Sequence, residues 1–216
     1  MPLTDAQIER YSRQIIVPRV GGHAQERLLA ARIILCGEAR GLEPVLAYLA
    51  GAGAGKIALR IAGGGPGAAE LAAAMRSLNP DSAVAADAPA DFTAAVPNLV
   101  FAIIGGAAAA SGARAMCESL ARVPSVVARL DSPARIGVFP APPPCPACTG
   151  DLLAGEFGAS AGIDGVVVML AAVEAFKLLA GYDPNPRAAL IEFDGYTSHT
   201  RDPARNHACA CASIRP

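Results

Sequence analysis

The chain has 216 residues, of which 53% are hydrophobic and 17% are charged, and this length suffices for one α/β domain with a complete core. Its net charge of −1 creates no field that would attract a nucleic acid or an anionic membrane, so neither is expected as a partner. The start of the chain is polar, and the longest apolar stretch, 166–173, is far below the ~20 residues that span a bilayer. The expected location is therefore the cytoplasm.

The first predicted element is a helix that begins after Thr4. Thr4 and Gln7 have the spacing of a capping box, in which each side chain bonds the backbone N–H of the other residue. Tyr11 shares one apolar face of this helix with two isoleucines, which predicts a helix that docks on the domain. Arg13 lies on the same helix, and its simplest interpretation is a solvated arginine. Residues 23–31 predict a second short helix.

A strand, a glycine and a helix follow in close succession. Ile33 to Cys36 is a short apolar run typical of a buried strand. Gly37 comes next, and Pro44 stands where a helix can begin, because its missing N–H costs nothing in a first turn. Nucleotide-binding α/β domains begin in this order, with the turn amides and the helix N-terminus directed at a phosphate.

The turn after this strand lacks most of the glycines that a phosphate-binding turn uses. The usual pattern is G-x-G-x-x-G, and Gly37 supplies its first position. Ala39 takes the second position, where a Cβ narrows the approach to a phosphate. Leu42 takes the third, where its side chain crowds the contact between strand and helix. Glu38 and Glu43 add negative charge where a polyphosphate would lie, so the pattern predicts the fold together with a damaged phosphate site.

Further apolar runs alternate with helical patterns along the rest of the chain. Strands are predicted at 56–61, 82–86, 98–104, 125–130 and 136–139, helices at 68–78, 107–122 and 163–180, and a β-hairpin at 189–193 and 196–200. This alternation predicts an α/β fold with a Rossmann-like, mainly parallel sheet flanked by helices. We expect one domain made of N-terminal helices (1–31), a nucleotide-binding-type core (32–139) and a C-terminal part (140–216).

Two predicted strand ends lack groups that would hold a nucleotide. The strand at 56–61 ends around Arg60, whereas a dinucleotide or ATP site usually has an acidic residue there to hold ribose hydroxyls. The strand at 98–104 ends in Gly105 and Gly106, which carry no functional group. The glycine-rich loop at 63–67 could form a phosphate nest, but Pro66 and the lack of nearby Lys, Ser or Thr favour a plain flexible loop. The helix at 163–180 is apolar nearly all round, which indicates a central helix or a subunit interface.

Four of the six cysteines form two close pairs. The pairs are Cys145 with Cys148 and Cys209 with Cys211, about sixty residues apart. Two such pairs brought together by a fold make a tetrahedral four-thiolate zinc site, so the C-terminal part is expected to be tied by structural zinc. The C-x-C spacing is tighter than usual, and His207 is an alternative to one terminal cysteine.

Several motifs together resemble the opening and the order of the ThiF/MoeB/HesA family, the bacterial relatives of ubiquitin-activating enzymes. The motifs are the R-Y-S-R-Q sequence at 10–14, the segments 21–31 and 32–37, L-N-P at 78–80, the cysteine pairs and the segment 173–181. The resemblance implies ATP-dependent adenylation of the C-terminal glycine of a ubiquitin-fold sulfur carrier, a homodimer and a structural zinc. By this resemblance, Arg13 matches the arginine that reaches the partner subunit's ATP. Gly37 matches the first glycine of the nucleotide loop, and Cys145, Cys148, Cys209 and Cys211 match the zinc ligands.

The departures from the family pattern concentrate on the ATP site. No acidic residue follows the strand at 56–61, and the segment that supplies Asn, Arg, Gln and Lys to the triphosphate is missing. Gly105 stands where the family has an aspartate for Mg²⁺. Because nucleotidyl transfer depends on positioning and on neutralising the phosphates, little remains to hold Mg-ATP.

The sequence leaves several functions open. The first is a non-adenylating relative that binds a carrier protein or peptide as a homodimer or as a heterodimer with an intact homologue. The second is an active adenylyltransferase in which Arg13 and Arg60 replace the lost cations. A third is a dinucleotide-binding oxidoreductase, which lacks the ribose carboxylate and the glycines. The cavity could also serve a different small ligand, such as an adenosine-like group without a triphosphate.

Overall fold

The structure is a computed structural model that describes residues 2–38, 41–62, 67–86, 96–140, 143–160, 162–194, 197–206, 208–209 and 211, without the side chain of residue 151. The strands are β1 (Arg32–Gly37), β2 (Lys56–Ile61), β3 (Ala83–Ala86), β4 (Leu99–Ile104), β5 (Ser125–Arg129), β6 (Ala134–Phe139), β7 (Ala189–Phe193) and β8 (Ser198–Arg201). The helices are α1 (Asp5–Ile15), α2 (Gly21–Ala30), α3 (Leu42–Gly51), α4 (Gly67–Leu78), α5 (Ala107–Ser119), α6 (Gly150–Leu153) and α7 (Asp164–Ala180).

The eight strands form one sheet in the order β3-β2-β1-β4-β5-β6-β7-β8. The first five are parallel to one another, whereas the pairs β5–β6, β6–β7 and β7–β8 are antiparallel. The predicted Rossmann-like, mainly parallel sheet flanked by helices is therefore confirmed. The strand order reverses between β1 and β4, and open sheets of this kind bind ligands at such a reversal, beyond the carboxyl ends of the strands.

The sheet separates two apolar layers. One face packs against α3, α4 and α7 and contains most of the large core residues. The other face packs against α5 and α6, with Val100, Ala102 and Ile104 of β4 directed toward it. Because both faces are covered, every residue of β4 is buried, as its uninterrupted apolar sequence predicts.

The start of the chain is anchored by a polar network under α1. Thr4 and Gln7 form the predicted capping box. The hydroxyl of Tyr11, a buried residue, donates to the Asp81 carboxylate at 3.0 Å and accepts from the Asn79 amide at 2.9 Å. Asn79 also donates to the carbonyl of Ala50 at 2.7 Å. These bonds fix α1 to the ends of α3 and α4, as predicted for a docking helix.

The predicted helices and strands are present, and their bounds differ from those in the structure by up to three residues. The helix predicted to reach residue 122 ends at Ser119, since the backbone turns at Leu120 before β5 begins. The segment after Cys148, for which the sequence pattern predicts no helix or strand, contains the short helix α6, whose Leu152 and Leu153 are buried. The second hairpin strand is Ser198–Arg201 rather than 196–200, and residue 196 lies outside the described residues.

Helix α7 is partly central and partly exposed. Its inner side buries Val167, Ala171 and Ala175, whereas Val166 and Leu170 on the outer side are 56% and 42% exposed. Gly181 ends the helix in the left-handed conformation. None of the helices that the structure describes combines the length and the apolar character that a bilayer crossing requires.

Candidate functional site

The backbones of β1 and β4 approach each other closely at the crevice where these two strands end. Gly37, the last residue of β1, has a φ of +119°, and a Cβ there would overlap the carbonyl of Ile103 on β4. Only glycine fits such a close approach in this conformation. The glycine that matches the nucleotide loop therefore has a structural role in addition to any role in binding.

The negative charge predicted for this crevice is in place. The backbone N–H of Glu38 donates to the carbonyl of Ile103 at 3.1 Å, which continues the β1–β4 ladder by one residue. A Cβ built on Gly106 would lie 3.2 Å from a carboxylate oxygen of Glu38. The carboxylate therefore lies across the ends of β1 and β4, where turn amides in relatives of this fold face phosphates.

The turn into α3 contains a glycine outside the three positions of the G-x-G-x-x-G pattern. Gly41 precedes α3 with a φ of +81°, and Leu42 begins the helix with its side chain completely buried in the core. Leu42 is thus accommodated in the apolar layer under α3. Ala39, the second position of the pattern, lies outside the described residues. The positive φ of Gly41 depends on the path of the whole turn, so it could not be predicted from the sequence pattern.

A cavity of about 300 Å³ opens where β1 and β2 end. Its lining includes Gly37, Arg60 and three small residues of α5, namely Ala108, Ala109 and Gly112. Arg60 is in register with Cys36, and paired residues of parallel strands share a face, so the arginine lies on the α5 side of the sheet. Within the described part of the chain, no hydrogen bond or ion pair engages its guanidinium.

Arg13 lies far from this crevice. It lines a larger, mostly apolar cavity of about 520 Å³, together with Tyr48 and Gly51 near the end of α3 and Phe176 of α7. Gly37 precedes the other end of α3, and the ten residues of that helix span about 15 Å. The two residues predicted to serve a nucleotide are therefore at opposite ends of α3 within one chain.

A buried ion pair that was not predicted from the sequence lies next to the crevice. Arg129 ends β5 and is paired with Asp131 through contacts of 2.6 Å and 2.7 Å. The guanidinium also donates to the carbonyls of Ala154 and Glu156, each at 2.7 Å, and lies 4.4 Å from the ring centre of Phe157. The sequence indicates such a pair only through two opposite charges that flank one leucine at the end of an apolar strand.

The two cysteine pairs meet in space. The sulfurs of Cys145, Cys148, Cys209 and Cys211 all lie within 4.8 Å of one another. Two of the separations are 3.3 Å, between Cys148 and Cys211, and 3.6 Å, between Cys145 and Cys209. Four thiolates about 2.3 Å from a zinc ion at tetrahedral angles are about 3.8 Å apart, so this cluster could hold a metal ion and fits zinc. His207 lies outside the described residues.

The local environment of the cluster favours a thiolate at Cys148. Burial raises the pKa of this thiol, but hydrogen bonds from the backbone of Cys145 and Asn206 and from the other thiols outweigh it and lower the pKa to about 7. A thiolate is the form that binds metal. Cys36 and Cys117 are buried elsewhere, and burial raises the pKa of Cys36 to about 12, which indicates a packing role.

The curated relatives are adenylyltransferases. The chain is 52% identical over 59 residues to the adenylyltransferase and sulfurtransferase uba4 of Pyricularia oryzae, which covers 27% of the chain and 12% of that protein. It is 42% identical over 57 residues to the sulfur carrier protein adenylyltransferase of Thermus thermophilus, covering 26% and 21%. It is 28% identical to mouse MOCS3, covering 92% of the chain and 50% of that protein. The chain thus matches half or less of the length of these relatives, and no protein-family model matches it.

Solved structures share the fold. Escherichia coli MccB superposes with a TM-score of 0.69 at 17% identity, over 94% of this chain and 74% of MccB. MccB has been solved with ATP and with N-formylated MccA. PaaA gives a TM-score of 0.63 at 15% identity, over 93% of this chain and 75% of PaaA. The chain is thus similar in sequence to sulfur carrier protein adenylyltransferases and shares its fold with MccB and PaaA, which agrees with its resemblance to the ThiF/MoeB/HesA family.

Proposed function

We propose that this chain is a family member that no longer adenylates and that acts as a dimeric, zinc-stabilised binding protein for a carrier protein or peptide. The observation that carries the proposal is the charge at the β1–β4 crevice. Glu38 places a carboxylate across the ends of these strands, and the position of the expected metal ligand is Gly105. A triphosphate with Mg²⁺ needs cations and a metal carboxylate at this point.

The positions of the two lysines support the same proposal. Lys56 is the first residue of β2 and is therefore at the amino edge of the sheet, opposite the crevice. Lys177 lies in the last turn of α7 and pairs with Glu174 at 2.9 Å. Since the chain has no other lysine, no lysine is available to neutralise a bound triphosphate.

An apolar surface that includes part of α7 supports a dimer. Three apolar residues at helical spacing, Val166, Leu170 and Val173, remain 37–56% exposed. Large exposed apolar patches usually mark interaction sites. Arg13 lies at the opposite end of α3 from its own crevice, a placement that suits a residue serving the other subunit. A second copy of this chain is the simplest partner, and an intact homologue that gains an arginine from this chain is the alternative.

The experiment that tests the loss of activity is isothermal titration of the zinc-loaded protein with Mg-ATP. We expect no binding heat at millimolar ATP and no ATP–pyrophosphate exchange with candidate carrier proteins. The Thermus thermophilus enzyme serves as the positive control for both assays. Micromolar binding of Mg-ATP, or exchange that depends on a carrier, would overturn the proposal.

One observation favours the alternative, an active adenylyltransferase with a rebuilt site. The guanidinium of Arg60 faces a cavity beside the crevice and has no described partner. If this arginine neutralises a triphosphate, Arg60→Gln will abolish both ATP binding and exchange. The same titration therefore separates the two functions.

A further inference from the structure

The cavity at the ends of β1 and β2 has one charged group and otherwise apolar or small walls. Arg60 is half-buried there, whereas Ala108, Gly112 and Met116 line the opposite side along one face of α5. No carboxylate lines the cavity among the described residues. Because burial of a cation without a counter-charge is unfavourable, an anionic ligand would be stabilised at this position.

The size and shape of the cavity limit the ligand. A volume of about 300 Å³ is at the lower end of small-molecule pockets, enough for one nucleoside-sized group. A Cβ built on Gly112 meets no atom within 4 Å, so open space extends along α5. The small residues of α5 and Met116 form a smooth apolar wall, which suits the flat face of a nucleobase.

The position of Arg60 indicates which part of a nucleotide would carry the anionic group. In Rossmann-type sites, the group at the end of the second strand faces the ribose, where a carboxylate binds free hydroxyls and an arginine accommodates a ribose phosphate. Glu38, on the other side of Gly37, places negative charge where a 5′-polyphosphate would extend. The cation at the end of β2 therefore favours a phosphate on the ribose.

We propose that this cavity binds an adenosine whose ribose carries a phosphate at the 2′ or 3′ oxygen, held by Arg60. The guanidinium pairs with the phosphate in a two-pronged, charge-assisted contact. The base lies against the α5 wall. This goes beyond loss of adenylation, because such binding is compatible with either outcome of the Mg-ATP titration.

The test uses the full chain with methyl-¹³C methionine and titrates 2′-AMP, 3′-AMP, 5′-AMP, adenosine, inorganic phosphate and Mg-ATP. The chain has only 4 methionines, and Met116 is the one that lines the cavity. We expect 2′-AMP or 3′-AMP to shift the Met116 signal and to bind about tenfold more tightly than adenosine or 5′-AMP. Met75 and Met169 are the internal controls, and Met116→Leu assigns the signal.

Two variants connect the binding to the cavity. Arg60→Gln removes the cation and should weaken 2′-AMP or 3′-AMP binding by about tenfold or more, a change of about 1.4 kcal/mol. Arg122→Gln, at an exposed arginine outside the cavity, should leave binding unchanged. Gly112→Leu narrows the cavity while it improves the helix propensity of α5, so it should abolish binding in a folded protein.

The outcomes are distinct from those of the proposed function. Equal affinity for adenosine and its ribose phosphates, no binding by any of them at millimolar concentration, or unchanged binding in Arg60→Gln would overturn the ribose-phosphate site. Binding of inorganic phosphate alone, with no shift at Met116, would also contradict it. Tight Mg-ATP binding would overturn only the loss of adenylation.

Discussion

Arg129 and Asp131 form a two-pronged ion pair in the interior, with side chains only 4% and 5% exposed. Asp131 also accepts from the backbone of Gly158 at 3.4 Å, and Ser132 donates to the carbonyl of Ala159 at 3.1 Å. The pair therefore holds the segment 154–160 across the end of β5, next to the crevice. Burial favours the neutral acid, but the bonds and charge of Arg129 outweigh it and lower the pKa of Asp131 below its ordinary value of 3.8.

Breaking this pair on one side should destabilise the protein strongly. Arg129→Met leaves the Asp131 carboxylate buried without the cation that pairs with it, and such changes cost about 3–5 kcal/mol. Urea unfolding at neutral pH measures this loss. The double variant Arg129→Met with Asp131→Leu removes both charges and should recover most of the stability. If the double variant is no more stable than the single variant, the loss comes from packing rather than from the stranded charge.

The same pair predicts a specific acid sensitivity. Because the folded-state pKa of Asp131 is depressed, its contribution is present above the unfolded value of about 4 and is lost as the pH falls through the lower folded-state pKa. The wild-type protein should therefore lose stability below pH ~4 more steeply than the double variant does. Urea midpoints measured at several acidic pH values give the comparison, and parallel curves would argue against this contribution.

Tyr11 should make the protein sensitive to alkali. Burial, with a smaller contribution from Asp81, raises the pKa of Tyr11 to about 12 from 10.0. A raised folded-state pKa means that the contribution is complete below pH 10 and is lost as the pH rises toward 12. Tyr11→Phe should cost about 1–3 kcal/mol at pH 7, because Asn79 and Asp81 lose their partner.

The matched control for Tyr11 is Tyr48→Phe. Tyr48 is partly buried and packs against Phe176, and its hydroxyl has no hydrogen bond to a described residue. Removing that hydroxyl should change the free energy of unfolding by less than about 0.5 kcal/mol. Similar effects of the two substitutions on thermal unfolding would contradict the role assigned to the Tyr11 network.

Gly37 should tolerate no side chain. Gly37→Ala would bring a Cβ against the Ile103 carbonyl in a positive-φ conformation, and we expect a loss of several kcal/mol or failure to fold. Gly165→Ala is the matched control, since a Cβ there meets no atom within 4 Å and α7 gains helix propensity. The two variants should shift the midpoint of thermal unfolding in opposite directions, and a stable Gly37→Ala protein would show that the two strands can separate.

The cysteine cluster should hold structural zinc. Cys148→Ser removes a ligand and should lower the bound zinc, measured by atomic emission, well below about one ion per chain, with a lower melting temperature. Cys117→Ala is the control, because that buried cysteine lies outside the cluster. Full zinc content in Cys148→Ser would show that this residue is not a ligand.

The exposed side of α7 should be required for the dimer. Leu170→Glu places a charge in the middle of the apolar stripe and should weaken association by at least about tenfold, as seen by analytical ultracentrifugation. Leu78→Glu is the control, because Leu78 is 50% exposed at the end of α4, outside this surface. Equal weakening by both variants, or a monomeric wild-type chain, would contradict the proposed interface.

The sequence by itself determined the elements and the class of fold. The apolar runs of β1 and β4 and the capping box at Thr4 and Gln7 depend on interactions within a few residues, so their patterns are visible in the chain. The spacing of the cysteine pairs likewise indicated that they could bind a metal ion together. Periodicity and short motifs carry this information because it is local.

The tertiary structure decided which charged groups meet. The pairing of strands placed Glu38 over Gly106 and put Arg60 on the face of the sheet that carries α5, although the sequence shows no relation between them. The length of α3 separated Arg13 from Gly37, and the path of the segment 154–160 gave Arg129 and Asp131 their shared role. Electrostatic interactions depend on distance and burial, which only the packed sheet and its helices establish.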